Sequence, residues 1–228
     1  MLTRRKGTDR GRTQIGWLDS WHTFSFGDYY DPAHHNYRTL RVINDDIIAP
    51  GGGFGTHPHR DMEILTCMLS GRLAHKDSLG TGAELRPGEW QVMTAGTGIA
   101  HSEFNPSDTE TAHLLQIWLV PDRKGHTPRY DQKAFDTTPG EWVTVASPDA
   151  RDGSFPIHQD AVVSTVTLAA GQSVTRPLEV DRGYWLHVAT GEVMVNSTSL
   201  IAGDAVAIEN ETVLTVAGTG QVLLFDVK

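Results

Sequence analysis

Cysteine is almost missing from this sequence. One residue in 228, Cys67, excludes an intramolecular disulfide framework and argues against a thiolate metal site. It sits in the apolar run Ile64-Leu65-Thr66-Cys67-Met68-Leu69, where a small buried side chain is the expected role. Long hydrophobic runs are missing too. Nothing approaches the roughly 18 apolar residues of a membrane span, and no apolar segment follows the basic start, so a cytoplasmic protein is expected. Basic charge is scarce: 19 Lys and Arg against 28 Asp and Glu give a formal charge of −9, which opposes binding to phosphate backbones or anionic lipid. The cluster Arg4, Arg5, Lys6, Arg10 and Arg12 reads as a solvated terminal segment, and a small-molecule partner fits better than nucleic acid or membrane. Helical periodicity is the last absence. No stretch of ten or more residues carries an amphipathic pattern, and only Asp131 to Phe135 offers a short helical segment.

What is present is a succession of short β-like runs: Leu40 to Asn44, Glu63 to Leu69, Arg72 to His75, Glu89 to Met93 and Leu114 to Val120. Turn signals separate them at Ala49-Pro50-Gly51-Gly52-Gly53, Ser70-Gly71, Gly80-Thr81-Gly82, Pro87-Gly88 and Gly96-Thr97-Gly98. This spacing predicts an antiparallel barrel or sandwich. Ahead of them, the aromatic-rich segment Gly16 to Phe26 alternates as an edge or covering strand, and Asp28 to Asn36 reads as a loop whose adjacent His34 and His35 would point to opposite faces.

Between Pro121 and Pro156 the chain turns rich in Pro, Asp, Gly and charge, which places a domain junction there, with residues 1–135 in one domain and 136–228 in the other. Strand-like runs resume at Ala161 to Ala170, Tyr184 to Ala189, Glu192 to Asn196, Ala205 to Ile208, Thr212 to Ala217 and Gln221 to Val227. An internal echo links the halves: Leu69-Ser70-Gly71-Arg72-Leu73 and Pro87-Gly88-Glu89 recur in form as Ala189-Thr190-Gly191-Glu192-Val193 and Ala202-Gly203-Asp204. A duplicated β-barrel is the expectation. The second copy has no histidine between Gly171 and Val180, so a metal site is expected only in the first.

Two short polar pairs carry the chemistry, His57-Pro58-His59 and His101-Ser102-Glu103. On an extended chain residues i and i+2 share a face, so each pair can present two ligands to one point. One His-x-His alone says little, since 11 histidines in 228 positions give roughly 0.5 such pairs by chance. Its context is more specific: Gly51 lies six residues ahead of His57, Glu63 four after His59, and the second pair arrives just past a glycine-rich turn. Spacing leaves the fourth ligand open between Glu63 and Glu103. The remaining histidines, His22, His113 and His187 in strands and His75, His126 and His158 near turns, lack a partner at ligand spacing and are read as packing or surface residues.

Gly51-(x)5-His57-x-His59-(x)3-Glu63 with Gly98-(x)2-His101-(x)3-Asn105 resembles the two signature motifs of the cupin superfamily. It departs from them at Gly71, one residue late, and at Gly96, where a proline is typical. Together with Gly55-Thr56-His57-Pro58-His59-Arg60, the run Thr94 to Glu103 and Trp17 to Phe26, the pattern is similar to the pirin family, and most to its bacterial members described as quercetin 2,3-dioxygenases. The resemblance spans nearly the whole chain. It implies an all-β bicupin, two antiparallel jelly-roll-like barrels with one metal site in the N-terminal barrel, and a ligand set of His57, His59, His101 and Glu103, with Glu63 left to orient a histidine.

Three imidazoles and a carboxylate suit a borderline first-row divalent ion, Fe(II) first and Ni, Co, Mn, Cu or Zn on the same donors. The implied activity is metal-dependent cleavage of a flavonol such as quercetin by O₂ with release of carbon monoxide. Glu103 would then serve both as ligand and as general base toward the 3-hydroxyl. Phe54 and Met93 are candidate pocket walls, and Asn44 to Asp46 a polar rim. The alternative implied by the same family is an iron-binding, redox-sensitive regulator acting through protein partners. A sugar isomerase or storage-type bicupin is a third reading.

Overall fold

The computed structural model describes Met1–Lys228 and is built almost entirely of strands, its only helical elements being single 3₁₀ turns at Gly7–Asp9 and Arg151–Gly153. The chain divides into two units, Gly11–Phe135 and Met1–Arg10 together with Asp136–Lys228. The first ten residues therefore sit with the C-terminal unit, not with residues 11–135 as the domain limits from sequence have it. The cause is pairing: Leu2–Arg5 adds an edge strand to Ala205–Ile208, and the buried Asp204 carboxylate accepts hydrogen bonds from Arg4 and from the Gly7 amide.

In the unit Gly11–Phe135 two sheets form the jelly-roll. The larger runs Arg129–Ala134, Glu89–Thr94, Glu63–Ser70, Ala112–Leu119, Leu40–Ile48, Leu18–His22 and Gly11–Ile15 in spatial order. The smaller runs Gly53–His59, Ile99–Phe104, Leu73–Asp77 and Gly82–Leu85. All pairings in both are antiparallel, and hydrogen bonds do not close the two sheets into one barrel. The segment Arg129–Ala134 is a strand paired on Glu89–Thr94, which corrects the helical expectation for Asp131 to Phe135. Five residues are too few to nucleate a helix on their own, whereas an open sheet edge offers hydrogen bonds at once.

Burial follows position. Glu63–Ser70, central in its sheet, is buried on both faces, whereas Leu18–His22 near the edge alternates. An apolar cluster of Leu18, Ile48, Met68 and Leu114 from the larger sheet meets Leu73 and Leu85 from the smaller, each fully buried leucine contributing about 1.5–3 kcal/mol. This core fills one end of the jelly-roll. Between it and a second apolar cluster of Ile64, Met93, Ala95 and Ile99, the inward-facing residues of the larger sheet are polar, among them Thr66, Gln91 and Gln116, and the site lies there.

The C-terminal unit repeats the plan with fewer interruptions. Ala161–Pro177, Gly183–Val195 and Val213–Val227 are single long strands, broken only by register shifts between Leu168 and Gln172 and between Val188 and Thr190. In the first unit the corresponding stretches are cut into separate strands. The internal echo has a backbone basis: Gly71 and Gly191 both have positive φ, and a Cβ on either would run into a neighbouring carbonyl oxygen, of Thr111 and Thr219 respectively. Where the paired strands of the first unit turn His57 and His101 inward, the pairing of 172–177 with 213–218 in the second turns Val174, Leu214 and Val216 into its apolar core.

Candidate metal centre

Two adjacent strands of the smaller sheet carry the predicted ligands. On Gly53–His59 the side chains of His57 and His59 project to one face, and Ile99–Phe104 brings His101 directly opposite His57. A bulge follows, since the register moves from His101↔His57 to Glu103↔Phe54, setting Gly55 and Thr56 against the single residue Ser102. The close approach of the strands requires glycine at Gly53, where a Cβ would strike the backbone of Glu103 and Phe104. Gly96 has a similar cause. With φ of 46° it leaves no room for a Cβ beneath the His126 carbonyl, which accepts a hydrogen bond from the Thr97 amide. Asn105, the last residue of the motif, secures the turn by donating to the carbonyls of Ile48 and Glu110 while accepting from the Ser107 amide.

The outcome is a three-histidine cluster. The ligand nitrogens of His57, His59 and His101 lie within 4.8 Å of one another, with ring centroids 4.5 to 4.8 Å apart. Glu103 groups with His101 and His75 inside the same 4.8 Å limit and meets the three-histidine cluster only at His101. Burial holds the His59 imidazole neutral, its pKa pushed down to about 4 with help from His57. His101 is pushed further down, by burial and then by His57, His59 and His75.

Hydrogen bonds set the tautomers. His57 Nδ1–H donates to the Gly55 carbonyl at 2.8 Å, which leaves Nε2 with its lone pair toward the cluster. His75 Nε2–H donates to Asp77 at 3.1 Å. The His75 Nδ1 is then an acceptor, and His101 Nδ1–H donates to it at 3.4 Å. His101 Nε2 is left as a bare lone pair, buried and without any hydrogen-bond partner. Asp77 anchors this chain. Burial works against its charge, yet hydrogen bonds from His75 and from the amides of Thr81 and Leu79 keep its carboxyl below the usual range.

Glu103 is held from the larger sheet. Gln91 donates to Oε1 at 2.8 Å and Gln116 to Oε2 at 2.9 Å, with Thr66 and Tyr130 completing the amide contacts. Each carboxylate oxygen keeps a second lone pair. Burial, reinforced by the charge of Asp46, pushes the Glu103 carboxyl up to about 7 despite the glutamine donors.

A buried imidazole lone pair among two further imidazoles and a carboxylate is an arrangement that a divalent transition metal satisfies and that costs free energy otherwise. The donor set fits such an ion. Glu63 has a different place: the chain passes from one sheet to the other through Arg60–Met62, and the Glu63 carboxylate accepts from Thr94 Oγ1 at 2.8 Å and lies beside Arg129.

Several placements differ from those read off the sequence. His75, expected near a turn without a partner, is buried against His101 and stacked on Tyr130 with ring centroids 4.3 Å apart. Only cross-strand register brings it there, and no spacing in the sequence marks it. Met93 packs in an apolar cluster with Ile64, Ala95 and Ile99, not in a pocket wall. Asp45 turns out of the polar rim to accept from His113 at 2.6 Å. His22, read as packing, lines the cavity, as do Ser20, Asn44 and Asp46.

That cavity measures about 360 Å³ and opens on all four candidate ligands, with Phe54, Ile64, Phe26 and Trp118 as its apolar sides. Trp118 stands edge-on to His59 at 5.0 Å. Truncating His75 to alanine would break the Asp77–His75–His101 chain while sparing the ligands. Metal affinity is expected to fall about 10- to 100-fold, with Asp77→Asn acting in the same direction, as metal titration would measure.

The Pirin family model matches residues 4–119, and a second, described as the quercetinase C-terminal cupin domain, matches 144–227. A protein of Escherichia coli strain K12 named quercetin 2,3-dioxygenase is 47% identical over 228 residues, covering 99% of this chain and 98% of its own. A pirin-like protein of Caulobacter vibrioides is 42% identical, covering 95% and 94%. Among solved structures, a bacterial pirin from Escherichia coli in complex with nickel(II) superposes with a TM-score of 0.95 at 46% identity, covering 100% of this chain and 99% of that one.

Proposed function

The chain belongs to the pirin family, and on that premise we propose that it is a metal-dependent dioxygenase of the quercetin 2,3-dioxygenase type, cleaving a flavonol with O₂ and releasing carbon monoxide. The observation that carries this reading is the buried, unpartnered Nε2 of His101, which sits among His57, His59 and Glu103 at the end of a largely apolar cavity. The cavity volume of about 360 Å³ falls in the range of small-molecule sites. We assign His57, His59, His101 and Glu103 as metal ligands, Fe(II) as the native ion, and the reaction to the N-terminal cupin unit. The unit formed by residues 136–228 is assigned no metal of its own, since the inward positions of its corresponding strand pair are Val174, Leu214 and Val216, which offer no ligand atom. When bound, a redox-capable divalent metal supplies Lewis acidity toward an ionised hydroxyl and an electron path to dioxygen.

The protein's own groups do the rest. Phe54, Phe26 and Trp118 offer flat apolar faces to an aromatic substrate and keep water from its rings. Glu103, held as a carboxylate by Gln91 and Gln116, is placed to take the 3-hydroxyl proton. Neutral His59 and His101 cannot compete for that proton.

The test is direct: iron-loaded protein mixed with quercetin in air, with flavonol loss, O₂ uptake and carbon monoxide followed together. One O₂ consumed and one carbon monoxide released per flavonol supports the assignment. Full metal loading without turnover overturns it and leaves regulation through a protein partner as the family's other role.

A further inference from the structure

Across the cavity from the histidines stands a second polar wall, which holds none of the candidate ligands. The histidines and Glu103 come from the smaller sheet, whereas Ser20, His22, Asn44 and Asp46 come from two neighbouring strands of the larger sheet. Alternation along Leu40–Ile48 puts Asn44 and Asp46 on the cavity face and sends Asp45 outward to His113. Most of this wall is internally satisfied. His22 Nε2 meets Thr13 Oγ1 at 2.8 Å, its Nδ1 meets Asn44 Oδ1 at 2.8 Å, and Ser20 bonds to the Asp46 carboxyl.

One atom is not satisfied. Asp46 is only 2% exposed, and its Oδ1 has no hydrogen-bond partner. A buried carboxylate oxygen without a donor is costly, and such a group persists where a ligand completes it.

We propose that Asp46 is a specificity-determining residue of this cavity, its Oδ1 receiving a phenolic hydroxyl of a polyhydroxylated aromatic substrate. This rests on the flavonol reading and sharpens it: the metal site requires one hydroxyl, and Asp46 requires another elsewhere on the molecule. A flat ligand lying between the sheets meets the histidines at one edge and Asp46 at another, with apolar contacts from Leu18, Phe54 and Trp118 over its faces. A sugar would leave those apolar walls unmatched. An aromatic bearing a single hydroxyl would leave Asp46 unmatched.

The experiment compares quercetin with 3-hydroxyflavone, which keeps only the metal-facing hydroxyl. Each is titrated into nickel-loaded protein without oxygen at pH 8, and tryptophan fluorescence gives the affinity. Wild type is expected to prefer quercetin by about 10- to 100-fold, the range for a hydrogen bond to a charged group. In Asp46→Leu the preference should fall to within about threefold, and Asp46→Asn, which still hydrogen-bonds, should lie between. An undiminished preference in Asp46→Leu overturns the role of Asp46 while leaving the flavonol reading standing. If Asp46→Leu does not load metal, Asp46→Asn decides, and a ratio equal to wild type overturns it. If wild type binds neither flavonol, both readings fall.

Discussion

Replacing His101 with alanine is expected to leave the protein folded but without metal, and flavonol turnover at background. Losing a residue that only orients a ligand weakens metal sites by about 10- to 100-fold, so losing the ligand at the centre of the cluster should exceed that. His101 is that centre. It lies between His57 and His59 on one side and His75 and Glu103 on the other, so its removal takes away one ligand and the end of the Asp77–His75 chain together. The fold should tolerate the change. A truncated buried side chain leaves a cavity, but the same truncation removes an unpartnered buried nitrogen that costs the metal-free wild type about 1–3 kcal/mol. These effects oppose each other, and metal-free His101→Ala should unfold in denaturant close to metal-free wild type. Metal content by mass spectrometry and the two unfolding curves check both halves. A variant that retains a full equivalent of metal would refute the assignment of His101.

The candidate ligands could be paired in the sequence because the geometry of each pair is local. An i, i+2 pair on an extended chain shares a face whatever the rest of the fold does, so His57 with His59 and His101 with Glu103 could be paired before any strand was placed. The glycines were legible for the same reason, since Gly71 and Gly191 mark turns by positive φ. What surrounds the ligands was not. His75 reaches His101 through register between Leu73–Asp77 and Ile99–Phe104, and Gln91 and Gln116 reach Glu103 from a different sheet. Such contacts depend on how sheets stack, which no spacing along one chain encodes. The polar face of Leu18–His22 was hidden among aromatics: the conspicuous Trp21 points outward beneath Arg12, whereas the inconspicuous Ser20 and His22 line the cavity. The first ten residues were misplaced because their partner, Ala205–Ile208, lies some two hundred residues away.

Metal affinity is expected to rise with pH through about 7, and the group responsible should be Glu103, not His59 or His101. Histidine ligands ordinarily limit metal binding in mild acid, because the ion must displace their protons. Here burial has already done so: His59 is pushed down to about 4 and His101 lower still, so neither holds a proton to release at pH 5. Glu103 is shifted in the opposite direction, to about 7, by burial and by the charge of Asp46. Below that value the carboxyl is protonated and one proton must leave for each ion bound. Affinity should then fall about tenfold per pH unit, or about 100-fold between pH 7 and pH 5.

Two variants separate this cause from others. Glu103→Gln should bind more weakly at pH 8, having lost a charged ligand, and should show a flatter profile between pH 5 and 8. Asp46→Asn removes the like charge and should move the midpoint downward without flattening the curve. Isothermal titration in buffers of different ionisation enthalpy gives both the affinity and the number of protons released. A profile in Glu103→Gln as steep as that of wild type would place the titrating group elsewhere and take Glu103 out of the ligand set.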